Sequence, residues 1–135
     1  MALNAYLMFN GDAEEVLEYY RSAFGGEIHL MRWAGSPAAG HAPAGWGEKV
    51  LHATLDAPNG VKVMASDTPE HHNAGDNFAL AYHTNDSAKL RDVFSKLSAG
   101  GQVTMPLEKT FWSESFGMLT DKFGIKWIVN LDGEA

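Results

Sequence analysis

The side chains best suited to acid–base or metal chemistry near neutral pH are six histidines, and no cysteine joins them. Without thiols there is no disulfide framework, no Cys-based zinc site and no thiol nucleophile. His71-His72, preceded by Asp67 and Glu70, is the one local grouping that resembles a ligand set. Adjacent side chains on a loop rarely converge on one ion, however, and a solvated linker is the simpler reading. His29 and His52 stand alone among apolar neighbours and read as core or sheet-surface residues, while His41 lies in a Gly/Ala/Pro loop with no donor nearby. His83 falls near a strand end, where an imidazole can give or take a proton, but nothing in the sequence names its partner. Ser66-Asp67 and Ser113-Glu114-Ser115 set hydroxyls beside carboxylates without a Gly-x-Ser-x-Gly elbow, which argues against a serine nucleophile. No Gly-x-Gly-x-x-Gly or Walker pattern cradles a phosphate.

The elements that must position these residues come in duplicate. Asn10-Gly11-Asp12 opens an acidic amphipathic stretch, Ala13 to Phe24, that stops at Gly25-Gly26; Asn85-Asp86 opens Ser87 to Ala99, which stops at Gly100-Gly101. Gly60-Val61-Lys62-Val63-Met64 matches Gly124-Ile125-Lys126-Trp127-Ile128, and Asp56 precedes the first glycine as Asp121 precedes the second. Asp12 reads as a helix N-cap with Glu15 as its capping-box partner, and Val16, Tyr19, Tyr20 and Phe24 form the apolar face. Asp86 caps a second helix whose inner face is Leu90, Val93, Phe94 and Leu97. Apolar runs at Asn4 to Asn10, Glu27 to Trp33, Lys49 to Leu55 and Val61 to Ser66 read as strands, the last two joined by a turn ending in Asn59-Gly60. Phe78 to Thr84, Gln102 to Leu107, Thr110 to Thr120 and Ile125 to Leu131 repeat the set, and Ser36 to Gly47 reads as a loop. Each half is therefore βαβββ, and the fold class is α+β: paired modules forming a half-open, U-shaped β-barrel with helices outside. A single domain over 1–135 is expected, with module 1 over about 1–67, a linker over about 68–76 and module 2 over about 77–135.

A net charge of −7 without clustered Lys and Arg argues against a nucleic-acid partner. No basic region followed by a long apolar run opens the chain, and no segment approaches the roughly 18 apolar residues of a membrane span, so a cytoplasmic protein with no membrane partner is expected.

Glu18-Tyr19-Tyr20 with Phe24-Gly25-Gly26, the strand end Met64-Ala65-Ser66-Asp67, Thr110-Phe111-Trp112, and above all Phe116 to Gly124 with Trp127 and Asn130 carry a resemblance over essentially the whole chain. The sequence resembles the vicinal oxygen chelate superfamily (glyoxalase I, extradiol dioxygenases, bleomycin-resistance proteins), in its PhnB-like branch. Metal-dependent members of that superfamily hold a divalent ion with four His or Glu side chains on the first and last strands of the two modules. The resemblance puts those positions near Ala5, Met64, Ala79 and Ile128, none of which is a donor, so no metal and no cofactor are expected. The methyltransferase label attached to this branch gains no support, because no glycine-rich nucleotide turn follows a strand.

The resemblance then implies a small-molecule binder that uses a cleft of the sheet, as bleomycin-resistance proteins do, and a homodimer. Its alternative is a metal-dependent enzyme of the glyoxalase or dioxygenase type with displaced ligands such as His83, Asp67 or Glu114. Candidate ligand-binding residues are the strand residues Tyr6, Met64, Trp112 and Trp127 and the polar Ser66, Asp67, Glu114 and Asn130. For the aromatics the competing role is core packing, and for Asp67 it is capping the turn after its strand.

Overall fold

A computed structural model describes residues 2–69, 73 and 75–133. Among them, two helices and eight strands follow one plan twice. The first unit, residues 1–73, runs β1 (Ala5–Phe9), α1 (Ala13–Phe24), β2 (Glu27–Arg32), β3 (Val50–Asp56) and β4 (Lys62–Asp67), with one 3-10 turn at Ala39–His41 in the expected loop. The second, residues 74–135, runs β5 (Leu80–Thr84), α2 (Ser87–Ser98), β6 (Gln102–Glu108), β7 (Phe116–Thr120) and β8 (Lys126–Leu131). Of the segment read as a linker, Glu70, His71, His72 and Ala74 lie outside the described residues.

Each unit forms a four-stranded mixed sheet, ordered β1-β4-β3-β2 in the first and β5-β8-β7-β6 in the second. The first and last strands of each unit pair in parallel, and the other neighbours are antiparallel. The fold is thus α+β with paired βαβββ modules, and its strands belong to two sheets rather than to one closed barrel.

Each helix covers one face of its own sheet. Val16, Leu17, Tyr20, Ala23 and Phe24 of α1 are buried along with Leu7, Val50, Ala53, Leu55, Val63 and Ala65. In the second unit Leu90, Val93 and Leu97 of α2 are buried along with Leu119, Trp127 and Val129. Removing each Leu or Val from water contributes about 1.5–3 kcal/mol, which is what holds helix to sheet. Tyr19, expected on the buried stripe of α1, is only half-buried at its edge. Phe94 packs its ring where a side chain on Gly117 would stand, 2.8 Å from that hypothetical Cβ, so a side chain at residue 117 would have to displace the ring.

Three local readings need correction. Asp12 makes no side-chain cap; the carboxylate of Asp67, arriving from the end of β4, takes the N–H groups of Gly11 and Ala13 at 2.9 Å each. A distant carboxylate has replaced the local one because β4 ends directly beside the start of α1. Thr110 to Ser115 is a loop, and β7 begins only at Phe116. Its hydroxyls hold it there: Thr110 Oγ1 accepts from the N–H groups of Trp112 and Ser113, and Ser113 Oγ donates to the carbonyl of Ser115, bonds that compete with a strand ladder. Finally, Asp121 corresponds to Ala57 rather than to Asp56, since the N–H of each bonds the carbonyl four residues on, Ile125 and Val61 respectively.

The glycine stops are confirmed in detail. A Cβ on Gly26 would lie 2.2 Å from the carbonyl oxygen of Asp56, and one on Gly101 would lie 2.2 Å from that of Thr120. At both places the chain leaving the helix passes directly over a strand end.

Candidate functional site

Because the helices take one face of each sheet, alternate strand residues point to the other face. In the first unit that open face carries one row Tyr6–Met64–Thr54–His29, read from the strand registers. Met8–Ser66 and Met31–His52 lie in the row beside it. Tyr6 Oη and His52 Nδ1 are 3.0 Å apart with their rings stacked, and Thr54 Oγ1 lies 3.5 Å from the other ring nitrogen. This imidazole is occupied by a neutral neighbour.

The open face of the second unit is built from different residues. His83, Asn130 and Phe116 stand side by side across β5, β8 and β7, with Glu108 next on β6. Beside this row run Ala81, Ile128, Met118 and Met105. Asp132, just past the end of β8, brings its Oδ2 to 2.7 Å from His83 Nδ1, and Asn130 Nδ2 donates to its Oδ1 at 3.2 Å. The neighbouring imidazole holds the Asp132 carboxyl below the usual carboxylate range, so Asp132 is an ionised acceptor and His83 Nδ1 carries the shared proton. The Trp112 ring meets Phe116 edge-on with centroids 5.2 Å apart, and Phe111 meets Trp112 at 4.7 Å. The loop bearing these two rings is tied to the same strand end, since the N–H of Leu131 donates to the carbonyl of Ser115 at 2.8 Å.

The expected site residues fall into distinct surroundings. Tyr6 and Met64 lie on the open face of the first unit, where Ser66 occupies the adjacent row although it is nearly buried. Trp112 and Asn130 come together on the second. Glu114 is exposed in the loop, 3.7 Å from Lys109 Nζ. Asp67 and Trp127 lie elsewhere. Asp67 is 1% exposed, its Oδ1 bonded to Gly11 and Ala13 and its Oδ2 to the N–H of Val50 at 3.0 Å, while its carbonyl accepts from Trp33 Nε1. Trp127 is on the helix-packed face, 3% exposed, its indole N–H donating to Asp121 Oδ2 at 3.0 Å. Asp121 Oδ1 in turn accepts from the N–H groups of Phe123 and Ile125.

Sequence reasoning missed Asp132 and gave His83 no partner. The register of β5 on β8 is the missing signal: a parallel pair carries His83 to Asn130, and so to Asp132, across 49 residues of sequence.

The superfamily's metal can be tested against the donor chemistry. By the strand registers Tyr6, not Ala5, stands level with Met64 on the open face; its phenol and the methyl, thioether and aliphatic groups of Ala79, Met64 and Ile128 do not fit a divalent ion that seeks imidazole or carboxylate. Among the described residues no three His, Asp or Glu side chains are grouped closely enough to hold one. A depression of about 280 Å³ at the start of α1, lined by Gly11, Glu14, Arg32, Glu48, Lys49 and Val50 with Asp67, is polar. Its guanidinium is already bonded to both oxygens of Glu14, at 3.0 Å each, and to the carbonyl of Glu48.

Comparison with known proteins bears on this geometry. The sequence profile of the 3-demethylubiquinone-9 3-methyltransferase family matches residues 2–130. A Pseudomonas aeruginosa protein of known crystal structure is 34% identical, with 96% of each chain covered and a TM-score of 0.84. The PhnB protein from Bacillus cereus is 31% identical over 98% of this chain and 100% of that one, with a TM-score of 0.81. A glyoxylase/bleomycin resistance protein/dioxygenase domain from Frankia, 13% identical with 98% of each chain covered and a TM-score of 0.68, shares the fold. No helix is long and apolar enough to cross a membrane among the described residues. Matched by profile, by sequence and by fold along nearly its full length, the chain belongs to the PhnB-like, 3-demethylubiquinone-9 3-methyltransferase family, and it shares the fold of the glyoxylase/bleomycin resistance protein/dioxygenase domain.

Proposed function

We propose that this protein binds a small molecule on the open face of its sheet without the superfamily's metal. The observation that carries the reading is the second unit's open face, where a few polar groups (His83, Asn130, Asp132) stand beside the half-buried ring of Phe116 and the exposed ring of Trp112. Large rings with a small number of fixed polar groups are the usual lining of small-molecule sites. Tyr6 and Met64 furnish a second such surface in the first unit, with the buried Ser66 in the row beside them, and Glu114 adds a carboxylate in the aromatic loop. Asp67 and Trp127 contribute by fixing the strand ends that carry the others. The alternative, a metal-dependent enzyme with displaced ligands His83, Asp67 and Glu114, is disfavoured by their environments. Backbone N–H groups fill both oxygens of Asp67, and Glu114 is solvent-exposed beside a lysine.

The protein is also proposed to be a cytoplasmic homodimer with one domain per chain. Elemental analysis together with thermal-shift screening against metabolites tests the reading. The expected result is far less than one metal ion per chain, a melting temperature indifferent to chelator, and stabilisation by at least one organic compound. A ligand at a hundred times its Kd stabilises the native state by about 2.7 kcal/mol, a readily measured shift. Light scattering on the same preparation should give twice the chain mass. One tightly held divalent ion per chain, lost together with thermal stability on chelation, would hand the site to the enzyme reading.

A further inference from the structure

We infer that the His83–Asp132 pair is a proton acceptor for an aromatic ligand bearing an acidic hydroxyl, a phenol or an enol on a flat ring, which the second unit's open face holds as its anion. The inference rests on the small-molecule reading above and names the ligand's chemical class.

Position comes first. His83 is well exposed, with 69% of its side chain accessible, and stands on the face away from α2. Asp132 accepts the proton on Nδ1, which fixes the tautomer and leaves Nε2 with its lone pair when the ring is neutral. Asn130 bonds the other carboxylate oxygen and so holds Asp132 in place. A carboxylate that orients an imidazole and stabilises its cation is the arrangement a proton acceptor needs.

Shape supplies the ring. Phe116 lies two strands from His83, about 10 Å at the usual strand spacing, which is the span of one substituted aromatic ring with its hydroxyl. Between them the floor is Asn130, and in the next row stands Ala81, whose methyl leaves room beside the imidazole. Trp112, edge-on against Phe116, extends the aromatic surface at that end. Aromatic groups in such offset and edge-on contacts contribute beyond the area they bury.

The described charges on this face are Asp132, Glu108 at the far end of the row and, two rows on along β8, Lys126, which donates to the carbonyl of Asp76; the Lys109–Glu114 pair lies in the loop. On binding, the ligand's O–H bond breaks, the proton forms an N–H bond at His83 Nε2, and the electron pair stays on the ligand oxygen. The resulting imidazolium lies between that oxygen and the Asp132 carboxylate. No bond of the ring changes.

The experiment uses the intact protein and two probes, para-nitrophenol and para-nitroanisole, which share a ring but differ in the acidic proton. At a pH where free nitrophenol is mainly protonated, its binding should raise the phenolate absorbance, and nitroanisole should bind roughly tenfold more weakly, the difference made by one charge-assisted hydrogen bond. His83→Gln should reduce nitrophenol to the affinity of nitroanisole and abolish the phenolate signal. Asp132→Asn should keep nitroanisole binding but weaken the signal, because an amide can donate to Nδ1 and force the proton onto Nε2. Both residues are exposed at a strand end, and circular dichroism is the check that the variants fold. Nitrophenol bound without phenolate absorbance overturns the inference, as does its failure to bind, or a wild-type signal in either variant. If another compound still stabilises the protein, the small-molecule reading survives that failure; if nothing does, both fall.

Discussion

The two units differ most at the place where their last strands end. By the parallel registers Phe9–Asp67 and Thr84–Leu131, Asp67 in the first unit stands where Leu131 stands in the second. The first unit turns its strand-end carboxylate inward, against the N–H groups of Gly11, Ala13 and Val50. The second places an apolar residue there and sets its carboxylate one position later, at Asp132, outward and on an imidazole. The same registers match Met8 with His83 and Tyr6 with Ala81, so the first unit fills its open face where the second leaves room. A repeated fold thus separates two uses of one chemical group: a buried carboxylate ringed by backbone donors secures the chain, and an exposed one beside a histidine can move a proton.

Removing the buried carboxylates breaks this comparison most severely. Asp67→Ala leaves three N–H groups without their acceptor, at about 1–3 kcal/mol each where water does not replace it. A loss of roughly 3–5 kcal/mol is expected in chemical denaturation. Asp121→Ala strands two backbone donors and the Trp127 indole, but these lie within one turn and the strand that follows it. Its cost should be smaller than that of Asp67→Ala, since Asp67 joins the β1–α1 connection and the start of β3 to β4. Equal or reversed losses would show that these carboxylates do not tie the fold as their bonds indicate.

Transplanting the first unit's residue into the second sharpens the contrast. Ala81→Tyr recreates Tyr6 beside His83 and should fill the floor of the proposed ring site. Affinity for para-nitroanisole should fall by roughly tenfold, equivalent to about 1.4 kcal/mol. Stability should change by no more than about 0.5 kcal/mol, as is usual at an exposed position. Unchanged affinity would place the ring elsewhere.

What could be read from the sequence follows from the range of each signal. The paired βαβββ plan is legible because helix stops, turns and apolar periods are local: Asn59 and Gly60 both take positive φ, 63° and 83°, in the turn that the Asn-Gly pair announced. The two glycine stops are legible for the same reason. The Asp67 clasp and the His83–Asp132 pair are not, because each depends on which residues two parallel strands bring level, and no local pattern encodes that register. The loop from Thr110 to Ser115 misleads in the opposite way. Its Phe111-Trp112 looks like strand, while the neighbouring hydroxyls satisfy the backbone and hold the rings outside the sheet.

The smallest effect concerns how each helix is pinned. In the first unit Arg32 of β2 grips Glu14 of α1 with two hydrogen bonds, whereas in the second the Lys96–Asp92 pair stays on one helix. The Arg32 hydrogen bonds, aided by its charge and opposed by partial burial, hold the Glu14 carboxyl below its usual range. A carboxyl lowered in the folded state contributes stability that is fully present above its unfolded value and is lost as pH falls through the folded one. Both partners are about a third or more exposed, so screening limits the contribution to roughly 0.2–1 kcal/mol. Glu14→Gln should therefore be slightly less stable than the wild type at neutral pH, and the gap should close in acid as the wild-type carboxyl protonates. The Lys96→Ala change, which breaks a pair within α2, should alter stability without loosening helix from sheet. A Glu14→Gln deficit that persisted undiminished in acid would mean that the pair acts through packing of the arginine stem, not through charge.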